Sequence, residues 1–199
     1  MSNLAKQSLA HALKVKIEEK DLSKITIKEL TDLCGLRRQT FYYHFKDIYD
    51  LLKWLYTNEL IEEIRVDDGY ESWQNCYLSI FKYVKSNQRL IISTYNSIAS
   101  EYFLNFLNKY TSMFIKKIIE EKLEGKYIEE ELEIFLSNFY KNALIGCVKD
   151  YVEQGMKEDP NEIVMKVDCI LDGSIDLFLS NLENKYRRLK NEKNLNLSK

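Results

Sequence analysis

A cluster of hydrogen-bonding side chains between residues 37 and 46 is the part of this 199-residue chain best suited to binding chemistry. Arg37 and Arg38 carry permanent positive charge, and guanidinium groups bind phosphate and the edge of guanine in a bidentate way. The residues that follow add amide, hydroxyl, phenol, imidazole and ammonium groups: Gln39, Thr40, Tyr42, Tyr43, His44 and Lys46. Because such groups contact phosphates and base edges, the cluster predicts binding to a nucleic acid.

The segments around this cluster have the pattern of two short helices joined by a tight turn. Thr26 is a good N-cap, and Glu29 three residues later completes a capping box that begins the first helix. Gly35 fits the positive φ that often ends a helix. The second helix is predicted for residues 37–45, and Asp47 caps the helix after it. In a helix-turn-helix of this kind, the second helix enters the major groove of DNA.

Two positive charges lie where the helix dipole disfavours them. Arg37 and Arg38 open the second helix, and a cation in a first turn costs about 0.3–1 kcal/mol at an exposed site. Local conflicts of this kind occur at functional sites, and a docked polyanion would reverse the sign of the effect. The alternative is that both arginines are solvated surface charges. The hydrogen-bonding residues that follow them favour DNA.

The same residues resemble the N-terminal DNA-binding domain of the TetR (tetracycline repressor-like) family of bacterial transcription regulators. The resemblance is carried by Ile25-Thr26-Ile27, Gly35, Thr40, Tyr42, Phe45 and Leu51-Leu52. It is close over about the first 65 residues and architectural beyond them. Within the family, T-F-Y-Y-H-F-K-D-I-Y-D-L-L is similar to a Firmicutes-type branch that includes dihydroxyacetone kinase regulators. Arg37 replaces the Ser or Thr that often opens the recognition helix, so an arginine is expected to make that phosphate contact.

The expected DNA contacts follow from this pattern. Thr26 should hold a phosphate at the start of the first short helix, where backbone N–H groups favour anions. The groove is expected to receive Arg37, Arg38, Gln39 and Thr40, with Arg38 or Gln39 best placed for bases. The DNA backbone is expected to contact Tyr42, Tyr43, His44 and Lys46.

No motif in the sequence predicts an enzyme. A nucleophile elbow, a glycine-rich phosphate loop, a histidine-based metal motif and a Ser/His/Asp set are all missing, so neither catalysis nor a cofactor is expected. The four cysteines lack metal-type spacing and are predicted to be buried, reduced thiols: Cys34, Cys76, Cys147 and Cys169.

Composition predicts a soluble, all-helical protein. Hydrophobic residues make up 45% and charged residues 30%, as in ordinary globular domains. One proline, six glycines and few alternating β-branched runs argue for helices. The chain has no 18-residue apolar stretch and no signal peptide at its start. We therefore expect a cytoplasmic protein.

The net charge of −2 hides an asymmetry along the chain. Residues 1–46 contain nine Lys and Arg against five Asp and Glu, whereas residues 47–199 contain twenty against twenty-six. A basic N-terminal segment on an acidic body is typical of a protein that docks on DNA by one end.

Apolar periodicity predicts an all-α fold of about nine helices in two domains. Residues 1–66 form a three-helix DNA-binding head followed by a linking helix that starts near Asp47, and a turn at residues 67–69 marks the boundary. Residues 67–189 form a larger ligand-binding and dimerisation domain, and residues 190–199 form a frayed tail. The helices of that domain are predicted at residues 70–86, 88–98, 100–124, 128–155 and 160–189.

The last two predicted helices are candidates for a homodimer interface. They carry small residues that permit close packing, namely Ala143, Gly146, Gly173 and Ser174. In the TetR family the corresponding pair forms a four-helix bundle with its mate, so the resemblance implies a homodimer. The alternative is that both helices are wholly internal. Phe135 and Phe139 are predicted on the apolar face of the first of them.

Two questions about regulation stay open at this stage. The dense aromatic residues of the second domain either fill its core or line an effector pocket. Asp168, Asp172 and Asp176 share one side of their helix, where a solvated face is favoured over a cation site. We predict a regulator that binds an operator as a homodimer and is modulated through its C-terminal domain, whether as repressor or activator. The alternative is a co-activator that acts through a partner sensor protein without a small-molecule pocket.

Overall fold

The computed structural model describes residues 2–63, 72–123, 128–182 and 184–185, and in these ranges all regular secondary structure is helical. The N-terminal part contains α1 (Ser2–Glu19), a 3-10 turn (Leu22–Lys24), α2 (Ile27–Leu33), α3 (Arg38–His44) and α4 (Ile48–Glu63). The remainder contains α5 (Trp73–Ser86), α6 (Gln88–Tyr95), α7 (Ser100–Leu123), α8 (Glu130–Glu153) and α9 (Pro160–Leu171). Residues 174–182 form a further helix, α10. The predicted all-α class is confirmed.

The first four helices bury a shared apolar core. α1 packs against α2, α3 and α4, and the fully buried side chains come from every one of these helices: Leu9, Leu13, Leu30, Phe41, Leu51, Leu52 and Leu55. Burial of apolar surface contributes about 25 cal/mol per Å². Because α2 and α3 are only seven residues long, this packing rather than intrinsic helix propensity holds them.

The predicted caps form as hydrogen bonds. The Thr26 hydroxyl accepts a hydrogen bond from the Glu29 N–H, and the Glu29 carboxylate accepts one from the Thr26 N–H, which completes the capping box. Asp47 Oδ1 accepts from the Asp50 N–H at 2.8 Å, so Asp47 caps α4 as predicted. Gly35 has φ of +64°, the left-handed conformation that glycine adopts without steric cost.

The larger part of the chain is built on long helices. α7 and α8, of 24 residues each, pack along one another, and α5 packs on α7 and α9. The buried Tyr77 hydroxyl of α5 donates to the Leu144 carbonyl of α8 at 2.8 Å. None of the described helices combines the length and the apolar character needed to cross a membrane.

Two helices join the head to the rest of the molecule. α4 contacts both α1 and α7, and α6 contacts both α1 and α7. The Leu22 N–H in the 3-10 turn donates to Ser93 Oγ of α6 at 2.9 Å. Tyr95 lies two residues after Ser93 in α6, and its hydroxyl donates a hydrogen bond to Glu153 of α8. This bond raises the pKa of Tyr95 to about 12. α6 therefore lies between the 3-10 turn of the head and the end of α8.

The prediction of one helix over residues 160–189 is wrong. Asp159 caps α9 with Pro160 at its first position, as expected, but α9 ends at Leu171. Asp172 is extended (ψ 116°) and Gly173 has φ of +73°, a combination that no continuous helix contains. Gly173, which the sequence predicts to be a packing position, instead provides the left-handed conformation at this break. The predicted tail and the predicted boundary turn at residues 67–69 lie outside the described residues.

The predicted inner face of α8 is displaced by one position. Phe135 and Phe139 are 60% and 59% exposed, so neither fills the core nor lines an internal pocket. The buried face is formed by Leu136, Tyr140, Leu144, Val148 and Tyr151. Aromatic residues at adjacent positions made both registers plausible from periodicity, and the packing of α7 selects one of them.

The cysteines are free thiols, but their burial varies. Cys76 is buried, Cys34 and Cys147 are half-buried, and Cys169 is exposed on α9. The prediction that all four are buried is therefore wrong for Cys169. In a helix with one buried face, position rather than residue type decides exposure.

Candidate nucleic-acid interface

Helix α3 is held in place by aromatic residues at its inner face. Phe41 is fully buried, and Phe45, which is the C-cap residue, is 3% exposed. The two rings lie 5.8 Å apart, and the Phe45 ring lies 6.0 Å from that of Trp54 in α4. These contacts fix which face of α3 points away from the core.

Most of the predicted DNA-binding residues lie on the solvent-exposed part of α3 and its flanks. Arg37, the N-cap residue, makes no side-chain cap bond. The exposed members of the predicted set are Arg37, Arg38, Gln39, Tyr42, Tyr43 and Lys46, whereas Thr40 and His44 are half-buried. At about 100° per residue, Gln39 and Tyr43 point most directly away from Phe41. Tyr43, expected on the DNA backbone, is 82% exposed and lies at the centre of this face.

Thr26, the remaining predicted contact, is engaged within the protein. Its hydroxyl donates to Glu29 Oε2 at 2.8 Å, and its N–H donates to the same oxygen at 2.9 Å. Both donors of Thr26 are therefore occupied by a carboxylate. A phosphate could be held by Thr26 only if it displaced Glu29.

Glu29 is ionised under ordinary conditions. The hydrogen bonds from Lys20 and then from Thr26 lower the pKa of Glu29 to about 2. The Lys20 ammonium lies 2.5 Å from Glu29 Oε1. The start of α2 thus already holds an anion that belongs to the protein.

The turn between α2 and α3 is fixed by backbone and side-chain bonds. The Leu36 N–H donates to the Thr31 carbonyl at 2.8 Å after Gly35 reverses the chain. The Cys34 thiol donates to the Ser8 carbonyl of α1 at 3.2 Å. Burial raises the pKa of the Cys34 thiol, which keeps it protonated as a donor. The α2–α3 angle is therefore tied to α1.

Two lysines outside the predicted set extend the basic surface. Lys6 of α1 lies 5.9 Å from the centroid of the Phe45 ring, beside the end of α3. Lys28 is exposed in the first turn of α2, where a cation opposes the helix dipole as Arg38 does in α3. This unfavourable position in the first turn is the feature of the sequence that points to Lys28. Its residue type alone does not, because most lysines are exposed.

Metal ligation receives no support from the described residues. No group of three His, Cys, Asp or Glu side chains is placed to hold an ion among them. Asp168 accepts from the Gln74 amide at 3.0 Å, and Asp176 pairs with Lys122 at 3.3 Å. The aspartate stripe therefore has two members engaged with neighbouring helices.

An aromatic cluster lies where α4 meets α5 and α7. Phe106 is its centre, with ring centroids 6.0 Å from Tyr56, 6.1 Å from Tyr83 and 4.9 Å from Tyr110. The Tyr110 hydroxyl is buried without a hydrogen-bond partner among the described residues. Three phenol groups from three helices thus surround one phenylalanine.

Comparison with known proteins identifies the family. A TetR-type family model described as "Transcriptional regulator C-terminal region" matches residues 71–173, which is more than half of the chain. The chain belongs to the TetR family. This match lies outside the head, so it supports the resemblance found there independently.

A curated relative of this TetR-family chain is the HTH-type dhaKLM operon transcriptional activator DhaS of Lactococcus lactis subsp. lactis (strain IL1403). It is 24% identical over 155 residues, which cover 77% of this chain and 82% of the relative. The predicted resemblance to dihydroxyacetone kinase regulators is therefore confirmed. The protein is a transcriptional regulator of the TetR type, and its relatives are regulators rather than enzymes.

Solved structures show the same fold. The dihydroxyacetone kinase operon activator DhaS aligns with a TM-score of 0.70 at 19% identity, covering 87% of this chain and 97% of that one. The fatty acid degradation regulator FadR from Bacillus halodurans aligns with a TM-score of 0.62 at 17% identity, covering 84% and 98%. NalD of Pseudomonas aeruginosa, the secondary repressor of the MexAB-OprM multidrug efflux pump, aligns with a TM-score of 0.58 at 13% identity, covering 83% of this chain and 94% of that one.

Proposed function

We propose that this TetR-family regulator acts in the cytoplasm and binds a double-stranded DNA operator by inserting α3 into the major groove. The observation that carries the proposal is the polar face of α3, whose side chains point away from a core-anchored Phe41. Arg38, Gln39 and Tyr43 would face base edges, and Arg37 would bind a phosphate at the helix start. Backbone contacts would come from Thr40, Tyr42, His44 and Lys46.

We also propose that the chain binds as a homodimer through α8, α9 and α10. One helix-turn-helix buries little surface, and linking two half-sites multiplies affinity. The apolar side chains exposed on these helices are Ile134, Phe135, Phe139, Met165, Ile170 and Leu177. The Phe135 and Phe139 rings stack on each other at 6.4 Å on the outside of α8. Exposed large apolar side chains on these helices are a feature of interaction surfaces.

Modulation through the C-terminal domain completes the proposal. A small-molecule effector would bind near the tyrosines that surround Phe106, since ligand sites are mostly apolar with a few polar groups. Such a ligand would shift DNA affinity only by binding one spacing of the two heads more tightly than the other. α4 carries Tyr56 of this cluster and also packs on α1, so it links the cluster to the head.

A co-activator that works through a partner protein is the second candidate. Its support is the relative named as an operon activator, together with an open groove of about 560 Å³ between α7 and α8. The groove carries charged groups of both signs, Lys116, Glu130, Glu133 and Lys141, which suit a protein surface better than an apolar small molecule.

The experiment that tests DNA binding is an anisotropy titration against duplex DNA from upstream of the protein's own gene. Random competitor is included and the salt concentration is varied. Specific binding whose logarithm falls with log[salt] at a slope of about −0.9 per neutralised phosphate supports the proposal. Equal competition by random DNA with no response to the upstream sequence contradicts specific readout of that DNA.

A further inference from the structure

The connection between α1 and α2 contains a closed network of charged and polar groups. Lys20, the residue after α1, contacts Glu29 Oε1 at 2.5 Å. Glu29 Oε2 accepts from both the N–H and the hydroxyl of Thr26, at 2.9 and 2.8 Å. Each carboxylate oxygen has its own donors, so Glu29 is held in one position at the start of α2.

Glu29 places a negative charge on the helix-turn-helix head, where DNA phosphates are proposed to lie. The first helix of a helix-turn-helix crosses the DNA backbone, and Glu29 is in its first turn. Phosphates repel a carboxylate at this point, and the repulsion acts over a Debye length of about 10 Å at 0.1 M salt. An opposite charge in direct contact with the carboxylate removes most of that field.

We infer that Lys20 is a positioning residue for DNA binding, which cancels the charge of Glu29 and holds it in the capping box without itself binding a phosphate. The inference rests on the proposed DNA-binding function. Lys20 is half-buried and its ammonium is directed to Glu29, whereas Lys28 in the same region is exposed. The network fixes the start of α2, and α2 packs on α3, so it also orients the recognition helix.

A double-mutant cycle tests this role. Anisotropy titrations compare the wild type, Lys20→Met, Glu29→Gln and the double variant, each with the upstream duplex and with a random-sequence duplex at about 50 mM salt. Lys117→Met removes an exposed lysine of α7, far along the chain from the head, and is the matched control. Thermal unfolding of every variant, and Lys20→Arg as a conservative replacement, separate misfolding from loss of the charge.

We expect the effect of Lys20→Met on DNA affinity to depend strongly on whether Glu29 is present. Lys20→Met should weaken binding to both duplexes about three- to tenfold, because the Glu29 carboxylate is no longer held in the capping box and repels the phosphates, and this loss should fade at high salt. In the Glu29→Gln background the same substitution should change affinity by less than about twofold. Lys20→Arg and Lys117→Met should bind within about twofold of the wild type.

Two other results would overturn the inference. If Lys20→Met weakens binding equally in both backgrounds and reduces the salt slope by about 1, then Lys20 binds a phosphate directly. If Lys20→Met leaves affinity unchanged, the Lys20–Glu29 pair has no part in DNA binding. A wild-type protein that binds neither duplex refutes the proposed function itself. This outcome is distinct from a double-mutant cycle in which the wild type binds but the substitutions do not change its affinity.

Discussion

The capping box at Thr26 shows how one residue network sets a local electrostatic property. A threonine N-cap followed by a glutamate at the third helical position is a frequent way to begin a helix. Here Lys20 adds an ion pair to the same glutamate. The result is a helix start that supplies its own anion, so in the proposed complex the phosphate contacts would come from the arginines of α3 and from exposed lysines such as Lys28.

The low pKa of Glu29 predicts a pH-dependent contribution to stability. Its folded-state pKa of about 2 lies below the ordinary value of 4.5, so the folded state binds this proton less readily than the unfolded state. The contribution is therefore present above about pH 4.5 and lost as the pH falls towards 2. Thermal unfolding should show Glu29→Gln less stable than the wild type at pH 7, with the difference shrinking below about pH 4.5 and closing only towards pH 2.

The matched control for that measurement is Glu101→Gln, which removes a carboxylate from the first turn of α7. It accounts for the general effect of the helix dipole, which acts on any first-turn carboxylate. A difference between Glu29→Gln and the wild type that stays constant from pH 7 to pH 3 would contradict the proposed network.

Arg38 and Lys46 should differ in what they contribute to DNA binding. Arg38→Ala should weaken operator binding by about 1–3 kcal/mol and reduce discrimination against random DNA, because a bidentate base contact is lost. Lys46→Ala should weaken binding to both DNAs to the same extent and reduce the salt slope by about 1. Anisotropy titrations on operator and random duplexes measure both quantities. Unchanged discrimination in Arg38→Ala would refute its role in base readout.

At the scale of elements, the break between α9 and α10 is the feature that the sequence pattern missed. Apolar residues continue at helical spacing through residues 160–189, so periodicity alone indicates one helix. Gly173 permits a left-handed conformation at the break, and Ser174 then bonds the Tyr140 hydroxyl of α8 across 2.8 Å. The break therefore places the first residue of α10 against α8.

Gly173→Ala should destabilise the protein through backbone strain alone. A Cβ at this position would meet nothing within 4 Å, but its φ of +73° costs an L-residue about 1–2 kcal/mol. Urea denaturation at fixed protein concentration measures the loss. The neighbouring Asp172→Ala, at a φ of −62°, should change the free energy of unfolding by no more than about 0.5 kcal/mol. If both substitutions lower the free energy of unfolding equally, the left-handed conformation at residue 173 adds no strain for alanine, and the prediction is contradicted.

At the scale of the whole molecule, the head and the regulatory helices are joined by few elements. α4 and α6 each contact both parts, and the Leu22 N–H bond to Ser93 joins the head to α6. An effector or partner that alters the larger part could therefore act on α1, which packs against α2 and α3, through these two helices. In the proposed dimer, these connections would let the two heads change their spacing.

The exposed aromatic pair on α8 predicts the oligomeric state. Phe139→Asp should convert the proposed dimer to a monomer at micromolar concentration, because a charge in an apolar interface is desolvated without a partner. Light scattering measures the mass, and circular dichroism confirms that the helices remain. Ile98→Asp, which alters an 82% exposed residue outside these helices, is the control. A wild-type protein that is already monomeric would refute the dimer.

The sequence by itself determined the fold class, the helix-turn-helix, its caps and the face of α3 that lies away from the core. These features depend on contacts between residues within about four positions of one another, such as Thr26 with Glu29 and Phe41 with Phe45. The residue types that face outward on α3 were predicted by the same short spacing.

Only the tertiary structure decided which face of α8 is buried, where α9 ends and that Thr26 is engaged through Glu29 with Lys20. Each of these depends on contacts between elements that lie far apart in sequence or on the opposite side of a turn. Phe135 and Phe139 are each followed by another apolar residue, Leu136 and Tyr140, so two helical registers fit equally well, and packing against α7 distinguishes them. Lys20 and Glu29 are nine positions apart, and the bend of the chain through the 3-10 turn at Leu22–Lys24 brings their charges together.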